Sequence, residues 1–167
     1  MPDVRPITTR APMLISQLQD HPQFIDSLAL HLFEQWRHIV TEVTVESFKE
    51  KLNEHLNTFS PPIAWVAHQG PALLGTASLR VHDLHGREDL TPWLGGVFVV
   101  PSARRTGVGL ALCQAVEDAA RRLGYSTLYL FTLDKQLWYG NQGWRLFAPC
   151  MWRERSGDIM RKDLAKA

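Results

Sequence analysis

The chain has 167 residues, of which 45% are hydrophobic, and this length and composition predict one domain with a single buried core. Its formal net charge of +1 argues against a global field that would recruit nucleic acid or an anionic membrane. Two cysteines, Cys113 and Cys150, are too few for a disulfide scaffold. The sequence shows neither a basic, apolar leader nor a run of ~18 apolar residues, so we expect a cytoplasmic location.

The first half of the chain predicts a short strand, two helices and a hairpin. Residues 4–8 suit an edge strand, where their proline is tolerated. Apolar residues at helical spacing predict helices over 22–36 and 45–56, the second capped by the threonine before it. Runs over 63–67 and 73–81 predict two strands joined across a Gly-Pro turn.

A buried strand, a loop rich in Arg and Gly, and a long amphipathic helix follow one another after a polar loop at 82–92. Residues 93–100 are almost all apolar, and residues 108–123 carry apolar side chains at helical spacing. The loop between them, 104–109, brings unpaired helix N–H groups and the positive end of the dipole to one place. This predicts a site for a phosphate or pyrophosphate. The same loop would also suit a helix start that binds nothing.

Two well-known phosphate loops do not fit this stretch. A Walker loop needs Lys and Ser or Thr after its last glycine, but Leu110 and Ala111 follow Gly109. A dinucleotide fingerprint needs a third glycine, and Leu112 stands in its place. The site therefore belongs to a different kind of phosphate loop.

The last third of the chain predicts a strand at 126–132 and then a short helix within 134–144. Asp134 is positioned to cap that helix, and Gly143 to close it in the left-handed conformation. After Trp144, two further strands are expected to pair in a hairpin across Ser156-Gly157.

The order Arg-x-x-Gly-x-Gly after an apolar strand, followed by Tyr139, Gly143 and Trp144 beyond the next strand, resembles the GNAT superfamily of N-acetyltransferases. The resemblance implies an α/β (α+β) fold of order βααβββαβαββ. Its mixed, mostly antiparallel sheet has six to seven strands and helices on both faces, and its fourth and fifth strands run parallel. It also implies that residues 1–167 are a single N-acetyltransferase domain.

The resemblance implies where acetyl-coenzyme A, the acyl donor, would bind. The fourth and fifth strands splay at their ends, and the pantetheine arm would enter that gap beside the backbone of Phe98, Val99 and Val100. The pyrophosphate would be surrounded by the loop residues Arg104, Arg105, Thr106, Gly107, Val108 and Gly109.

The resemblance also implies an acid for the leaving thiolate, but the residues leave the base open. Tyr139 stands where the family's tyrosine donates a proton to sulfur, although packing of the short helix would equally explain an aromatic there. Residues 93–100 carry no ionisable side chain, so the base must come from elsewhere. Glu88 is a candidate base or amine contact, and Asp89, His82 and His85 are alternatives. The simplest interpretation is that all four belong to a solvated loop. His82 and His85 have no matching ligand cluster elsewhere, and we expect no metal.

These features predict an N-acetyltransferase that transfers an acetyl group from acetyl-coenzyme A to a primary amine by direct attack in a ternary complex. The acceptor is a small-molecule amine or a protein amine, and Glu88 with Asp89 favours a cationic one. A non-catalytic acyl-coenzyme A binding or sensing module is the main alternative, and an interaction domain without cofactor is another. No nucleic acid or membrane partner is expected. Apolar residues of the last hairpin would suit a homodimer interface.

Overall fold

The computed structural model describes residues 10–165, which form seven strands and four α-helices. In chain order these elements are β1 Met13–Gln17, α1 Ile25–Trp36, α2 Val45–Glu54, β2 Ile63–Gln69, β3 Ala72–Arg80, β4 Trp93–Val99, α3 Val108–Arg122, β5 Thr127–Thr132, α4 Gln136–Gly140, β6 Arg145–Trp152 and β7 Arg155–Asp163. They confirm the predicted order βααβββαβαββ. Over the described range, no helix is long and apolar enough to cross a membrane.

The seven strands form one sheet in the order β1-β2-β3-β4-β5-β7-β6. Neighbouring strands are antiparallel, except that β4 and β5 are parallel. A parallel pair needs a crossover connection, and α3 supplies it. The predicted mixed sheet with a parallel fourth and fifth strand is therefore confirmed.

Helices cover both faces of the sheet, as the alternation of side chains along β2 requires. Trp65 and Ala67 belong to the core beneath α3. Ala64 and Val66 point the other way and pack with buried residues of α1 and α2. β2 is therefore apolar on both faces, and its continuous apolar run reflects a central strand.

The helix boundaries follow from local chemistry. The second helix begins with a capping box, in which the Ser47 N–H donates to the Thr44 hydroxyl at 3.0 Å and the Thr44 N–H donates to the Ser47 hydroxyl at 2.9 Å. It ends at Glu54, two residues before the predicted end. A single 3₁₀ turn, Pro22–Phe24, leads into α1.

Two local predictions are wrong, and a third concerns residues outside the described range. The final hairpin turns at Arg153 and Glu154, not at Ser156-Gly157. Asp134 does not cap α4: the N-cap residue is Lys135, whose N–H donates to the Thr132 hydroxyl at 2.9 Å. The strand predicted at 4–8 lies outside the described residues, and the first described strand is β1.

Candidate active site

The parallel strands β4 and β5 separate soon after they meet. They share one register pair, Trp93 with Tyr129, and the Tyr129 N–H donates to the Pro92 carbonyl at 3.1 Å. On its other side, β4 stays paired to β3 through a bulge between Thr76 and Ser78. A bulge bends its strand, and Gly96, at φ +60°, lies within it. The sheet therefore opens between the carboxyl ends of β4 and β5.

The loop after β4 leads into α3 through strained backbone. Arg105 and Gly107 both have positive φ, +62° and +87°, and Gly107 is the N-cap residue of the helix. The Arg104 guanidinium donates from Nε to the Val99 carbonyl at 3.0 Å, which ties the loop to the end of β4. Arg105 is exposed. The Arg104 side chain therefore helps to fix the shape of the loop.

The first turn of α3 offers N–H groups to a ligand. The first backbone hydrogen bond at this end runs from Ala111 to the Gly107 carbonyl at 3.1 Å. The N–H groups of Val108, Gly109 and Leu110 come before it and meet no acceptor within the part of the chain that the structure describes. Three convergent N–H groups at a helix N-terminus form an anion site.

The two loop glycines serve different purposes. A Cβ at Gly107 would meet nothing within 4 Å, so this glycine is needed for its positive φ. A Cβ at Gly109 would lie 3.4 Å from the Trp138 ring and 3.5 Å from the Val99 side chain. At these distances a Cβ at Gly109 would make ordinary van der Waals contacts, so Gly109 marks where α4 packs on the start of α3, and Gly107 alone is required by its backbone angle.

The backbone groups expected to hold the pantetheine arm are partly engaged within the protein. The Val99 carbonyl accepts the bond from Arg104, and the Val100 N–H donates to the Leu74 carbonyl at 2.9 Å. Phe98 is buried in the core and pairs with Thr76 across the sheet. The Val99 carbonyl oxygen has a second lone pair that could accept a hydrogen bond from a ligand. The Val100 N–H already donates its single hydrogen to Leu74, so it is not available to a ligand.

Tyr139 lies on α4 beside a cavity of about 500 Å³ that it helps to line. Its ring is buried, edge-on to Trp138 at 4.9 Å and to Trp144 at 6.2 Å between centroids. Within the described chain its hydroxyl forms no hydrogen bond. Burial, with contributions from Cys113 and Asp83, raises its pKa well above the ordinary value of 10.0. The phenol is therefore a neutral proton donor at physiological pH.

The cavity extends from Tyr139 towards α1 and α2. It is enclosed by these two helices, the ends of β3 and β5, residues 94–97 of β4, and the β6–β7 hairpin. Its ionisable lining residues other than Tyr139 are Lys51, His55, Arg80, Asp83, Asp134, Lys135 and Arg153. These residues come from segments far apart in sequence, and no local motif in the sequence marks any of them as a site residue.

Two charged members of this lining form an ion pair against β4. Arg80 Nη1 lies 2.6 Å from Asp83 Oδ1, and both side chains are largely buried. A Cβ at Gly95 would lie 2.8 Å from Asp83 Oδ2, and a Cβ at Gly96 would lie 2.5 Å from an Arg80 guanidinium nitrogen. The glycine pair in β4 therefore provides the space that this ion pair occupies. A glycine pair inside an apolar strand is the signal from which a close approach could have been predicted.

Of the carboxylates in the polar loop at 82–92, Asp83 lines the cavity, whereas Glu88 and Asp89 do not. Glu88 is exposed and accepts from the Gly86 N–H at 3.1 Å, a bond that lowers its pKa. Asp89 pairs with Arg87 at 3.0 Å. Neither carboxylate lines the cavity beside Tyr139, and neither do His82 and His85. Glu88 as the base stays a prediction without support from this placement.

The described residues include a buried cysteine, and the arrangement of their His, Cys, Asp and Glu side chains bears on whether they could bind a metal ion. Cys113 is buried within α3, and burial raises the pKa of its thiol to about 12, which suits packing. Across residues 10–165, no group of three or more His, Cys, Asp or Glu side chains is arranged to hold a metal ion.

An open mixed sheet, a gap between its two parallel strands and a helix N-terminus beyond that gap define the GNAT class of folds. Residues 33–138 match the model of the acetyltransferase (GNAT) family, and the chain belongs to that family.

Solved structures share this fold at low sequence identity. An aminoglycoside 6'-N-acetyltransferase from Enterococcus faecium is 19% identical with a TM-score of 0.72, over 92% of this chain and 98% of that one. An aminoglycoside 6'-N-acetyltransferase complexed with coenzyme A is 20% identical with a TM-score of 0.72, over 92% and 98%. N-acetylglutamate synthase from Neisseria gonorrhoeae, complexed with coenzyme A and N-acetyl-glutamate, is 21% identical with a TM-score of 0.65, over 95% of this chain and 36% of that one. A comparison with curated protein sequences gives no match.

Proposed function

We propose that the protein is an N-acetyltransferase that transfers an acetyl group from acetyl-coenzyme A to a primary amine by direct attack in a ternary complex. The observation that carries this proposal is the position of Tyr139. Its unpaired hydroxyl lies beside a cavity at the opening between β4 and β5, and Trp138, the residue before it, packs on the first turn of α3. One side of the opening thus suits the donor and the other the acceptor.

The donor would be held at the start of α3. The N–H groups of Val108, Gly109 and Leu110 suit the pyrophosphate, with Arg104, Arg105, Thr106 and Gly107 around it. The positive φ of Gly107 leaves open space where a side chain would otherwise stand. The backbone of Phe98 and Val99 would lie along the pantetheine arm, and the Val99 carbonyl would accept a hydrogen bond from it.

Acetyl-coenzyme A would supply the thioester, and the chain would supply orientation and a proton. As the amine nitrogen bonds to the carbonyl carbon, the carbon–sulfur bond breaks and Tyr139 gives its proton to the departing sulfur. Because burial raises its pKa, the phenol is protonated at physiological pH, so a proton is in place when sulfur departs, and Tyr139 then regains a proton from solvent. The amine must also lose a proton, and the assignment of Glu88 or Asp89 as the base that accepts it stays a prediction.

An amine panel followed by free-thiol release tests the proposal on wild type, Tyr139→Phe and Tyr125→Phe. We expect turnover by wild type and a fall of roughly 10²-fold in kcat for Tyr139→Phe, since general acid catalysis contributes about this much. Tyr125 does not line the cavity, so its variant should match wild type.

Calorimetry with acetyl-coenzyme A separates the alternatives. Binding without turnover of any amine would favour an acyl-coenzyme A binding or sensing module. Absence of binding at millimolar cofactor would leave an interaction domain and refute both coenzyme hypotheses.

Three broader predictions accompany this proposal. We infer that residues 1–167 act as one domain, that the protein is cytoplasmic, and that it can form a homodimer. Exposed Leu146 and Met151 on the edge strand β6 support the last of these. Relatives named for aminoglycosides, and one solved with N-acetyl-glutamate, span polycationic and anionic compounds, so the acceptor has to be inferred from this cavity itself.

A further inference from the structure

One wall of the cavity is basic. Lys51 and His55 from the end of α2 and Arg80 from the end of β3 all line it. His55 Nδ1 donates to the Lys51 carbonyl at 2.6 Å, which fixes the imidazole, and His55 Nε2 and Arg80 Nε are buried with no hydrogen-bond partner among the described residues. Burial and then the Arg80 charge lower the pKa of His55 to about 4. His55 is therefore neutral at physiological pH, and the positive potential of this wall comes from Lys51 and Arg80.

Lys51 is the cation on this wall without a carboxylate partner. Within residues 10–165, no Asp or Glu side chain forms a salt bridge with it. The nearby Arg80 charge, followed by burial, lowers the pKa of Lys51. Lys49, on the same helix, contacts Asp26 and Glu46 at 3.4 Å, and its pKa is raised. Two neighbouring lysines of α2 thus have opposite electrostatic surroundings.

The remaining charged residues of the lining largely balance one another. Arg80 is paired with Asp83, and Arg153 lies 2.6 Å from Glu42. Asp134 and Lys135 are adjacent in sequence and both exposed. What is left after this pairing is the positive charge of Lys51 beside Arg80. A cavity with that balance disfavours a polycationic acceptor and favours an anionic group.

A second wall of the cavity is apolar. Trp36 and Trp152 meet edge to face at 5.6 Å between ring centroids, and Phe48 and Leu32 lie on the same lining. A ligand whose charged end faces Lys51 would place an apolar body against these rings.

Asp83 offers a hydrogen-bond acceptor to the amine of such a ligand. Oδ1 of Asp83 accepts from Arg80, and Oδ2 meets no hydrogen-bond donor within the described residues. Asp83 and Tyr139 line the same cavity, and the Asp83 charge is one of the causes that raise the pKa of Tyr139.

We propose that the acceptor is an amine that also carries a carboxylate and an apolar body, of which hydrophobic amino acids are the simplest members. The carboxylate would lie between Lys51 and Arg80, the apolar body against Trp36 and Trp152, and the amine between Asp83 and Tyr139. This inference rests on the proposed acetyl transfer. It replaces the cationic acceptor suggested by Glu88 and Asp89, which do not line the cavity.

Matched acceptors test the inference at saturating acetyl-coenzyme A. Phenylalanine, leucine and methionine are each compared with their amides and with their decarboxylated amines, and kanamycin serves as the polycationic acceptor. We expect kcat/KM for at least one acid to exceed that for its amide about tenfold, since hydrogen bonds to ionised groups are roughly twice as strong as neutral ones. Kanamycin should be acetylated more slowly than that acid.

Two variants on one helix assign the preference to the basic wall. Lys51→Gln should reduce the acid-to-amide ratio to about twofold, with the KM for acetyl-coenzyme A unchanged. Lys49→Gln is the matched control and should keep the wild-type ratio. Lys51 lines the cavity but keeps much of its surface in solvent, so its replacement should leave the fold intact, which a thermal melt checks.

Three outcomes would overturn the acceptor class: amides acetylated as fast as acids, kanamycin preferred over every acid, or a Lys51→Gln ratio equal to wild type. None of them contradicts acetyl transfer itself. That proposal fails separately, if acetyl-coenzyme A does not bind or if no amine of either kind releases thiol.

Discussion

At the scale of single residues, a comparison of Gly107 with Gly124 distinguishes the effect of backbone strain on stability from the effect of a side chain on ligand binding. Both have positive φ, +87° and +92°, and a Cβ at either would meet nothing within 4 Å. Gly107 precedes α3 at the proposed pyrophosphate site, whereas Gly124 follows the other end of the helix. An alanine at either position has the same cost of a left-handed backbone, about 1 kcal/mol.

We predict that Gly107→Ala and Gly124→Ala lose similar amounts of unfolding free energy but differ in cofactor affinity. Gly107→Ala should weaken acetyl-coenzyme A binding roughly tenfold, because its methyl group would occupy the open space beside the helix N–H groups and displace one hydrogen bond to the charged pyrophosphate, about 1.5 kcal/mol. Urea unfolding and calorimetry measure the two quantities. Equal affinities of both variants would argue that this helix start binds no phosphate.

The titration of Tyr139 gives a second prediction at this scale. An acid catalyst must be protonated, and burial raises the pKa of this phenol above 10.0. We therefore expect kcat of wild type, measured with a saturating amine, to show no decline as pH rises to about 10, where an unshifted tyrosine would be half ionised. A decline centred near or below pH 10 that is absent from Tyr139→Phe would contradict the raised pKa.

At the scale of secondary-structure elements, one largely buried ion pair joins α3 to β7. Lys162 Nζ on β7 lies 3.0 Å from Glu117 Oε2 on α3 and also donates to the Gln142 carbonyl at 2.7 Å, just after α4. Glu117 is buried, and its Oε1 has no partner among the described residues. Removing the lysine would leave a buried carboxylate without its counter-charge.

We predict that Lys162→Met lowers the unfolding free energy by about 3 kcal/mol, the size expected when one partner of a buried pair is lost. The double variant with Glu117→Gln should be more stable than Lys162→Met, since it removes the stranded charge. Arg145→Gln, which breaks an exposed pair with Asp163, should cost less than 1 kcal/mol. Denaturant unfolding of the four proteins checks this, and equal losses for the two single variants would refute it.

The elements with strong periodicity were predictable, while contacts between distant elements were not. Helices α1 and α2 and strands β2 to β5 follow their apolar spacing and capping residues. The last turn was misplaced because Arg153 and Glu154 carry no turn signal, although both have positive φ. Gly157 serves a strand instead: a Cβ there would lie 2.5 Å from the Thr132 carbonyl.

The candidate site divides along the same line. The loop and Tyr139 could be predicted because each belongs to a local motif. Lys51, His55 and Arg80 could not, because only the packing of α2 on the end of β3 brings their side chains together. In sequence Lys51 is one of two lysines in α2, and no local pattern distinguishes it from Lys49.

At the scale of the whole molecule, the dependence of stability on pH has two windows. Burial lowers the pKa of His55 from 6.5 to about 4, so the unfolded chain binds this proton more tightly than the folded protein does. Stability must then fall as pH falls from 6.5 towards 4. Glu42, Asp89 and Asp163 each pair with an arginine and have lowered pKa values, so their contribution is lost only at lower pH, below about 4.5 for Glu42 and 3.8 for the aspartates.

We predict that the unfolding free energy, measured in urea between pH 7.5 and 4.5, decreases below pH 6.5 by roughly 3 kcal/mol at most, the value that follows from the His55 shift. His55→Asn, which can keep a donor towards the Lys51 carbonyl, should remove most of this decrease. His38→Asn is the matched control, because His38 is exposed, and it should retain the wild-type slope. If His55→Asn kept that slope, the proton taken up on unfolding would belong to another group, and the neutral, buried state of His55 would be wrong.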